Sequence, residues 1–485
     1  MSDMGLSIAA SGINADTAEL NTASNNLSNI NTPGYAAEQV NLSPEAAYGP
    51  LGVGQGVLVG SVTRLTDAVY VAANVAAQGV QGAASQTNTV MKSVESIFPE
   101  PSSTGLNSQL STLWSDISTL AANPSQSGAQ QAVVGAAQTV AATISGSFSQ
   151  LSQLGSSLQS QIGSGSNDGG WLAQANSLLS QVAQLNAGII AGSSGGQDVN
   201  SLIDQSTAAV NKLASLLGVT ATTAANGSVS VYLNGIQLVA GNAAQTLSAK
   251  GSAVTKDLGL TASNGVTVDA GGSIGANITA VNTTIPSYES KLNAVADSLA
   301  TSLNSLQANG MAANGDPGSA IAGGYSGTIL PNIFVNNGSA TTYTTSSASF
   351  NSAATIAVSP ALVANSSLMA TASAPGPTNS NAIGTPTLDG TNAQEMAALA
   401  SSSSGPNSLF QTMIGALGTQ SARAAAVSSA ASNLAMTASS NLSVISGVNM
   451  NNEELKVLAA QNDFQAIAKV VTAITTSLQS LMQAV

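Results

Sequence analysis

A mainly α fold with β insertions is what this sequence predicts, and three observations predict it. Apolar residues recur every seven positions at both ends of the chain, the spacing of helices that bury a single seam. Helical periodicity fills most of the interior, and in two stretches it gives way to the two-residue alternation of strands. The chain therefore goes out through helices, makes β insertions and comes back through helices. The expected parts are terminal heptad helices, a long antiparallel helical bundle, and one or two small β domains.

At the N-terminal end Leu6, Ile13, Leu20 and Leu27 form the heptad series, with Ala9, Ala23 and Ile30 at the companion positions and Asp16 breaking it. The helix is expected to stop at Asn31-Thr32-Pro33-Gly34-Tyr35, because Pro33 disfavours helix in the residue before it and Gly34 supplies a turn. At the other end Val457, Phe464, Val471, Leu478 and Val485 make one series, completed by Ala460, Ile467, Ile474 and Leu481. Asn451 followed by Glu454 resembles a capping box and places that helix start near residue 452. Chain ends are usually the least ordered parts of a fold, so two seam-bearing ends need something to cover them. Periodicity leaves open whether that is a partner helix or each helix's own domain core.

Between the ends, roughly residues 84–217 read as helices. Leu106, Leu110, Leu113, Trp114, Ile117 and Leu120 make one apolar face, closed by Asn123-Pro124-Ser125. Val133, Ala137, Val140, Ile144, Phe148, Leu151, Leu154, Leu158 and Ile162 make a second, interrupted by the Gly/Ser/Asn tract 163–170 and resumed by Leu172, Leu178, Val182, Leu185 and Ile189. From about 218 the period becomes two: Val229, Val231 and Leu233, then Asn234-Gly235 and Ile236, read as a tight hairpin, and Asn264-Gly265 before Val266 and Val268 as a further strand pair. Helix returns at 287–308 and again at 393–445, the latter through Phe410, Met413, Leu417, Val427 and Leu434. Residues 311–392, rich in Gly, Pro, Ser, Thr and Asn, hold short apolar runs such as Thr355-Ile356-Ala357-Val358 and read as a second, weaker β or irregular segment.

Composition narrows the function. A chain of 485 residues exceeds what one core usually organises, so roughly two to four domains are expected. Only 6% of residues are charged, against roughly 25% in an ordinary soluble domain. Surfaces of Ala, Ser, Thr, Asn and Gln let subunits pack closely without charge repulsion, a composition of polymers and adhesins more than of enzymes. Lys and Arg total 9 against 22 Asp and Glu, which leaves no basic stripe for nucleic acid or for an anionic membrane surface. No run approaches the roughly 18 apolar residues of a spanning helix, so membrane insertion is not expected.

Without His or Cys, the Ser-His-Asp and Cys-His arrangements, His-bearing zinc sites and disulfides are excluded, and no cofactor or metal is expected. Glu453-Glu454 are conspicuous neighbours, but acids in a first helical turn more often complement the macrodipole than catalyse. Gly52-Val53-Gly54-Gln55-Gly56 lacks the Lys-Ser/Thr of a phosphate loop, and Val57, Val59 and Val62 after it read as strand. The start lacks the basic, apolar and small-residue regions of a secretory signal, so export is expected to use another route.

The run Ser24-Asn25-Asn26-Leu27-Ser28-Asn29-Ile30-Asn31-Thr32-Pro33-Gly34-Tyr35 resembles the signature shared by rod, hook and hook-associated proteins of the bacterial flagellum. The stretch from Ser446-Gly447-Val448-Asn449 through Glu453-Glu454 to Gln461-Asn462-Asp463-Phe464-Gln465-Ala466 is similar to the matching C-terminal motif, in which Tyr commonly replaces Phe464. Gly54-Gln55-Gly56-Val57 with Arg64 and Asp67, Leu120-Ala121-Ala122-Asn123-Pro124, Gly227-Ser228-Val229-Ser230-Val231-Tyr232-Leu233 and Ala354-Thr355-Ile356-Ala357-Val358 look like the FlgK family of hook-filament junction proteins.

The resemblance implies a structural, non-enzymatic subunit outside the cell, exported by the flagellar type III apparatus. Its implied partners are a homo-oligomeric ring of copies, the hook protein, a second hook-filament junction protein, and a cytoplasmic export chaperone gripping the C-terminal helix. It carries Asn25, Asn26, Asn31, Pro33, Gly34, Tyr35, Gly447 and Asn449 as signature residues. Leu6, Ile13, Leu20, Leu27, Ile30, Val457, Phe464, Ile467, Val471, Ile474, Leu478 and Leu481 become the assembly seam, with the terminal helices folding side by side in a tube wall as copies assemble. The expected division is 1–35 with 450–485 as the tube core, 36–217 with 283–310 and 393–449 as the helical bundle, 218–282 as a β domain, and 311–392 as the weaker β segment. Competing readings are another axial protein such as hook or second junction subunit, an extracellular adhesin, which would normally carry a cleavable signal and more repeats, and an enzyme lodged in a β insertion, for which no residues can be named.

Overall fold

The computed structural model describes residues 2–32, 34–46, 54–163, 169–337, 339, 341–347, 350–376 and 381–483. The first helix, α1 (Ser2–Ser28), leads into an antiparallel hairpin of β1 (Glu38–Pro44) and β2 (Val57–Arg64). The sequence groups both strands with the helical bundle. They form a separate ribbon instead, because they alternate polar and apolar residues and carry no helical period. Asp67 then caps α2 (Ala68–Ile97) by accepting a hydrogen bond from the Val69 amide at 2.7 Å.

The helical body continues through α3 (Leu106–Ala122), α4 (Ser127–Ile162), α5 (Trp171–Ser194) and α6 (Asn200–Leu217). Leu106, Leu110, Leu113, Trp114, Ile117 and Leu120 are all buried, as their spacing on one face predicts. Next come a four-stranded antiparallel sheet, β3 (Thr220–Thr223), β4 (Val229–Leu233), β5 (Ile236–Ala240) and β6 (Ala243–Ala244), and a three-stranded one, β7 (Leu247–Lys250), β8 (Gly259–Ala262) and β9 (Thr267–Val268). Asn234 and Gly235, at φ 46° and 83°, make the predicted tight turn between β4 and β5.

The expected β region, 218–282, ends early, because helix α7 (Gly272–Thr279) begins inside it. It runs through one π-helical turn, Ala280–Thr284, into α8 (Ile285–Asn309). Pro286 has no amide to donate to the preceding turn, and the backbone widens just before it. Composition hid this helix, since 272–286 is rich in Gly, Asn and Thr.

Beyond α8 come β10 (Gly310–Ala312), β11 (Phe334–Asn336), α9 (Ser352–Thr355), β12 (Ile356–Val358), α10 (Pro360–Ala364) and β13 (Ala370–Ser373). The strands pair β10 with β13 and β11 with β12, so the weaker β segment is two short ribbons. Helices α11 (Thr391–Ala398), α12 (Pro406–Ser446) and α13 (Met450–Gln483) complete the chain.

One continuous apolar core links α2 to α8, both β regions and the first half of α12. Beyond Ala424 helix α12 changes character. Val427 and Leu434, expected in its apolar face, are 49% and 51% exposed, while Ala424, Ala431, Ala435 and Ala438 are buried. Ala435 and Ala438 pack with Ala77 of α2 in a small cluster of their own. Alanines let two helix backbones approach closely, and the larger side chains are left outside.

The short strands are held by side-chain amides. Asn176, Asn186, Asn282 and Asn304 each donate to the carbonyl and accept from the amide of one strand or loop residue, respectively Leu247, Val229, Leu258 and Phe334. Each asparagine thus stands in for a missing β partner and satisfies both backbone groups of a buried edge. A chain poor in charge and rich in Asn connects helices to strands with neutral hydrogen bonds.

Candidate assembly interface

Helices α1 and α13 lie antiparallel against each other. Gly12 faces Ile467 and Gly5 faces Ile474: a Cβ added to these glycines would come within 2.8 Å and 3.1 Å of the respective isoleucine Cδ1 atoms. The strip of α1 turned to α13 is therefore built from small residues, with Ala9 and Ala23 buried along it. On another side the hairpin packs on α1, where the Val57 amide donates to Ser11 Oγ at 3.2 Å.

The residues proposed for the seam are less deeply buried than a two-sided heptad seam implies. Val457, Ile467, Val471, Ile474 and Leu478 are half-buried, as are Leu6, Ile13, Leu20 and Leu27. The centre on the α1 side belongs to Gly5, Ala9 and Gly12, because close helix approach excludes leucine there and moves the leucine series to the flank. Leu20 and Phe464 wall a hollow of about 320 Å³ together with Asp16, Thr17, Ala460, Gln461 and Gln465. Ile30, 37% exposed beyond the end of α1, lies outside the contact, and Phe464 is 48% exposed. The side chain of Leu481, and Val485 altogether, lie outside the described residues.

The signature asparagines do different work. Asn26 is fully buried (0% exposed) at the foot of the helix pair. Its amide donates to the Glu38 carbonyl at 2.9 Å and to Glu453 Oε2 at 3.1 Å, and its oxygen accepts from the Tyr35 hydroxyl at 2.7 Å and from the Glu38 amide at 2.8 Å. One side chain therefore ties α1, the entry to β1, and α13. Asn25 is exposed and donates to Glu38 Oε2 at 3.2 Å. Asn31 is exposed, and Pro33 lies outside the described residues. Gly34 has φ +86°, and a Cβ there would meet the Asp204 carbonyl at 3.2 Å, so both the turn and the approach to α6 require glycine.

At the other signature, the Ala37 amide donates to the Ser446 carbonyl at 2.7 Å, and the Leu65 amide to the Ala37 carbonyl at 2.8 Å, joining the end of α12 to the base of the hairpin. A Cβ on Gly447 would meet the Ser443 carbonyl at 2.3 Å, which keeps that bend free of side chain. Asn449, not Asn451, caps α13: its Oδ1 accepts from the Asn452 amide at 3.2 Å and its carbonyl from the Glu453 amide at 3.0 Å. The helix accordingly starts at Met450 rather than near 452.

Glu453 corrects the reading of the acidic pair as a mere complement to the macrodipole. It is 4% exposed and bound by Asn26 and by Lys456 Nζ at 2.8 Å, while Glu454 faces solvent. Stepping the series Ile474, Ile467, Ala460 back by seven lands on Glu453, so the period did carry the signal.

Beside this node Arg64 Nη2 donates to Asp204 Oδ1, with both side chains nearly buried. Burial pushes the Asp204 carboxyl up to about 6, outweighing the pull of Arg64. Burial, and then the charges of Glu38, Asp204 and Glu453, push the Tyr35 hydroxyl well above its usual range, so it stays a donor to Asn26. Sequence spacing could not find Asp204, because 140 residues separate it from Arg64.

The Asp204 value is higher folded than unfolded. The stability it contributes is thus complete below about pH 4 and lost as pH rises through about 6. Arg64→Leu raises the value further. Its stability deficit is expected to be small near pH 4 and to grow above pH 6 towards the roughly 3–5 kcal/mol of a broken buried pair. Denaturant titration at the two pH values checks this, and a deficit that shrinks with rising pH contradicts it.

A family model described as flagella basal body rod protein matches residues 6–35, which contain the first signature. A second, described as the helical domain of the flagellar hook-associated protein FlgK, matches residues 91–321. Over these two stretches the chain is similar to flagellar rod and hook-associated proteins. Flagellar hook-associated protein 1 of Salmonella typhimurium is 28% identical over 246 residues, covering 50% of this chain and 43% of the relative. The Escherichia coli protein of the same name is 27% identical over 326 residues, covering 64% of this chain and 58% of the relative. The chain thus spans about half the length of the curated relatives it matches. The solved structure of the flagellar hook junction protein FlgK from Burkholderia pseudomallei superposes with a TM-score of 0.58 at 19% identity, over 77% of this chain and 99% of that one, and shows the shared fold.

Proposed function

We propose that this chain is a structural, non-catalytic subunit of the bacterial flagellum that connects hook to filament and assembles through its terminal helices. The observation that carries the reading is the clasp at Asn26, which fastens both chain ends into one helix pair and leaves the apolar flank of Leu20 and Phe464 half open. A flank of that kind needs a further surface to cover it, and a ring of copies supplies one. The relatives' names place them at the hook, and the reading extends that place to this chain.

In this reading the chain leaves the cell through the flagellar type III apparatus with a chaperone on α13, and contacts the hook protein on one side and a second junction protein on the other. Nucleic acid and membrane are not partners. No helix among the described residues is long and apolar enough to cross a membrane.

Electron microscopy of a strain lacking this chain tests the proposal. Hooks without filaments are expected, with filaments restored by the wild-type chain supplied in trans. Normal filaments in the deletion strain, or absent hooks, would overturn it.

A further inference from the structure

Midway along the terminal helix pair, the small-residue strip of α1 is interrupted by Asp16, and the antiparallel register brings it opposite Asp463 of α13. Asp16 Oδ2 is closed off from solvent and receives no hydrogen bond. Among the described residues no cation forms an ion pair with it. On α1 the Thr17 hydroxyl is turned to the Ile13 carbonyl, and the next charge is another acid, Glu19. On α13 the lysines nearest Asp463 are Lys456 and Lys469, about two turns away on either side, and Lys456 is bound to Glu453. The hairpin on the other side of α1 carries no charge in 39–44 or 57–63, its ionisable groups being Glu38 and Arg64 at the base and Glu45 beyond β1.

We propose that Asp16 and Asp463 make the terminal helix pair acid-sensitive: ionised, the two carboxylates hold its midpoint loosely, and uptake of one proton by Asp16 closes it. Asp463 is exposed, whereas Asp16 Oδ2 is closed off from solvent and has no donor, so the proton goes to Asp16. A protonated carboxyl is itself a donor, and it removes the like-charge repulsion across the seam. Burial first, and then the charge of Asp463, both push the Asp16 carboxyl above its ordinary value. A folded value above the unfolded one stabilises fully below the unfolded value, and that stability is lost as pH rises through the folded value. The pair therefore tightens on acidification and loosens towards neutrality.

Hydrogen exchange on the full chain, corrected for intrinsic rates, reads this locally. Between about pH 7.5 and about pH 4.5, protection of the amides of residues 12–20 and 457–467 is expected to rise roughly tenfold in the wild type. Asp16→Asn should be as protected near pH 7.5 as the wild type is in acid, with no further rise. Asp463→Asn, at an exposed position that leaves the fold intact, should reduce the rise, and Glu19→Gln should leave it unchanged. The proposal is overturned if wild-type protection is flat with pH, if Asp16→Asn keeps the wild-type rise, or if Asp463→Asn does not reduce it.

Discussion

Asn26→Leu is expected to detach the terminal helix pair from the body of the protein while leaving the body folded. Four hydrogen bonds meet on the Asn26 side chain, and its loss leaves the Glu453 carboxylate, the Tyr35 hydroxyl and both backbone groups of Glu38 short of a partner in a buried place. Each such group costs about 1–3 kcal/mol, more when charged, so the clasp loses several kcal/mol in total. That is more than the half-buried seam of α1 and α13 can offset, whereas the apolar core around Leu110 and Trp114 is untouched. Asn25→Ala, which removes a part-buried 3.2 Å bond to Glu38 and an exposed 2.9 Å bond from Asn29, is the matched control and should change little.

Asn26→Asp should be as damaging as the leucine variant, because it sets a third carboxylate beside Glu38 and Glu453. Adding Glu453→Gln should recover part of the loss, since the glutamine amide can donate to the new carboxylate. Hydrogen exchange resolved along the chain distinguishes the outcomes: protection should fall in 2–28 and 450–483 and persist in 106–162. Uniform loss, or none, contradicts the assignment of Asn26 as the clasp.

The second large effect is expected at the contact itself. Ile467→Asp and Ile474→Asp should leave the body folded and abolish stable incorporation into the assembled structure. Removing the isoleucine gives up roughly 1.5–3 kcal/mol of apolar burial, and a carboxylate against Gly12 or Gly5 adds its desolvation cost. At residue 467 the new charge also lies one turn from Asp463, which already faces Asp16. In a ring every copy repeats the loss. Gln479→Asp, at an exposed position of α13, should be nearly silent. Secretion has to be measured beside motility, because a chaperone on the same helix would make lost delivery look like lost assembly. Variants that are secreted and still build filaments would rule out the terminal pair as the assembly element.

Much of the fold could be read from local pattern. Leu106 to Leu120 is a helix face because 3.6-residue spacing puts those side chains on one side, and Asn234-Gly235 is a hairpin turn because two adjacent positive φ angles suit that pair. These are consequences of neighbouring residues, and no distant contact could reverse them. Local pattern failed where a distant surface chose among residues of similar type. Val427 and Leu434 carry a helical period as good as that of Phe410 and Met413, yet they are exposed, because α2 presents Ala77 there and only alanine fits the close approach.

The same division runs through the candidate site. By itself the sequence determined that both chain ends are amphipathic helices and that the first stops before Gly34, since spacing and turn chemistry suffice for each. Tertiary structure alone decided which side of α1 meets α13, that Glu453 is a buried partner and not a surface acid, and that Asp204 lies beside Arg64. Those outcomes depend on backbone approach and on the desolvation of groups brought together from distant parts of the chain, and neither quantity is a property of any window of sequence.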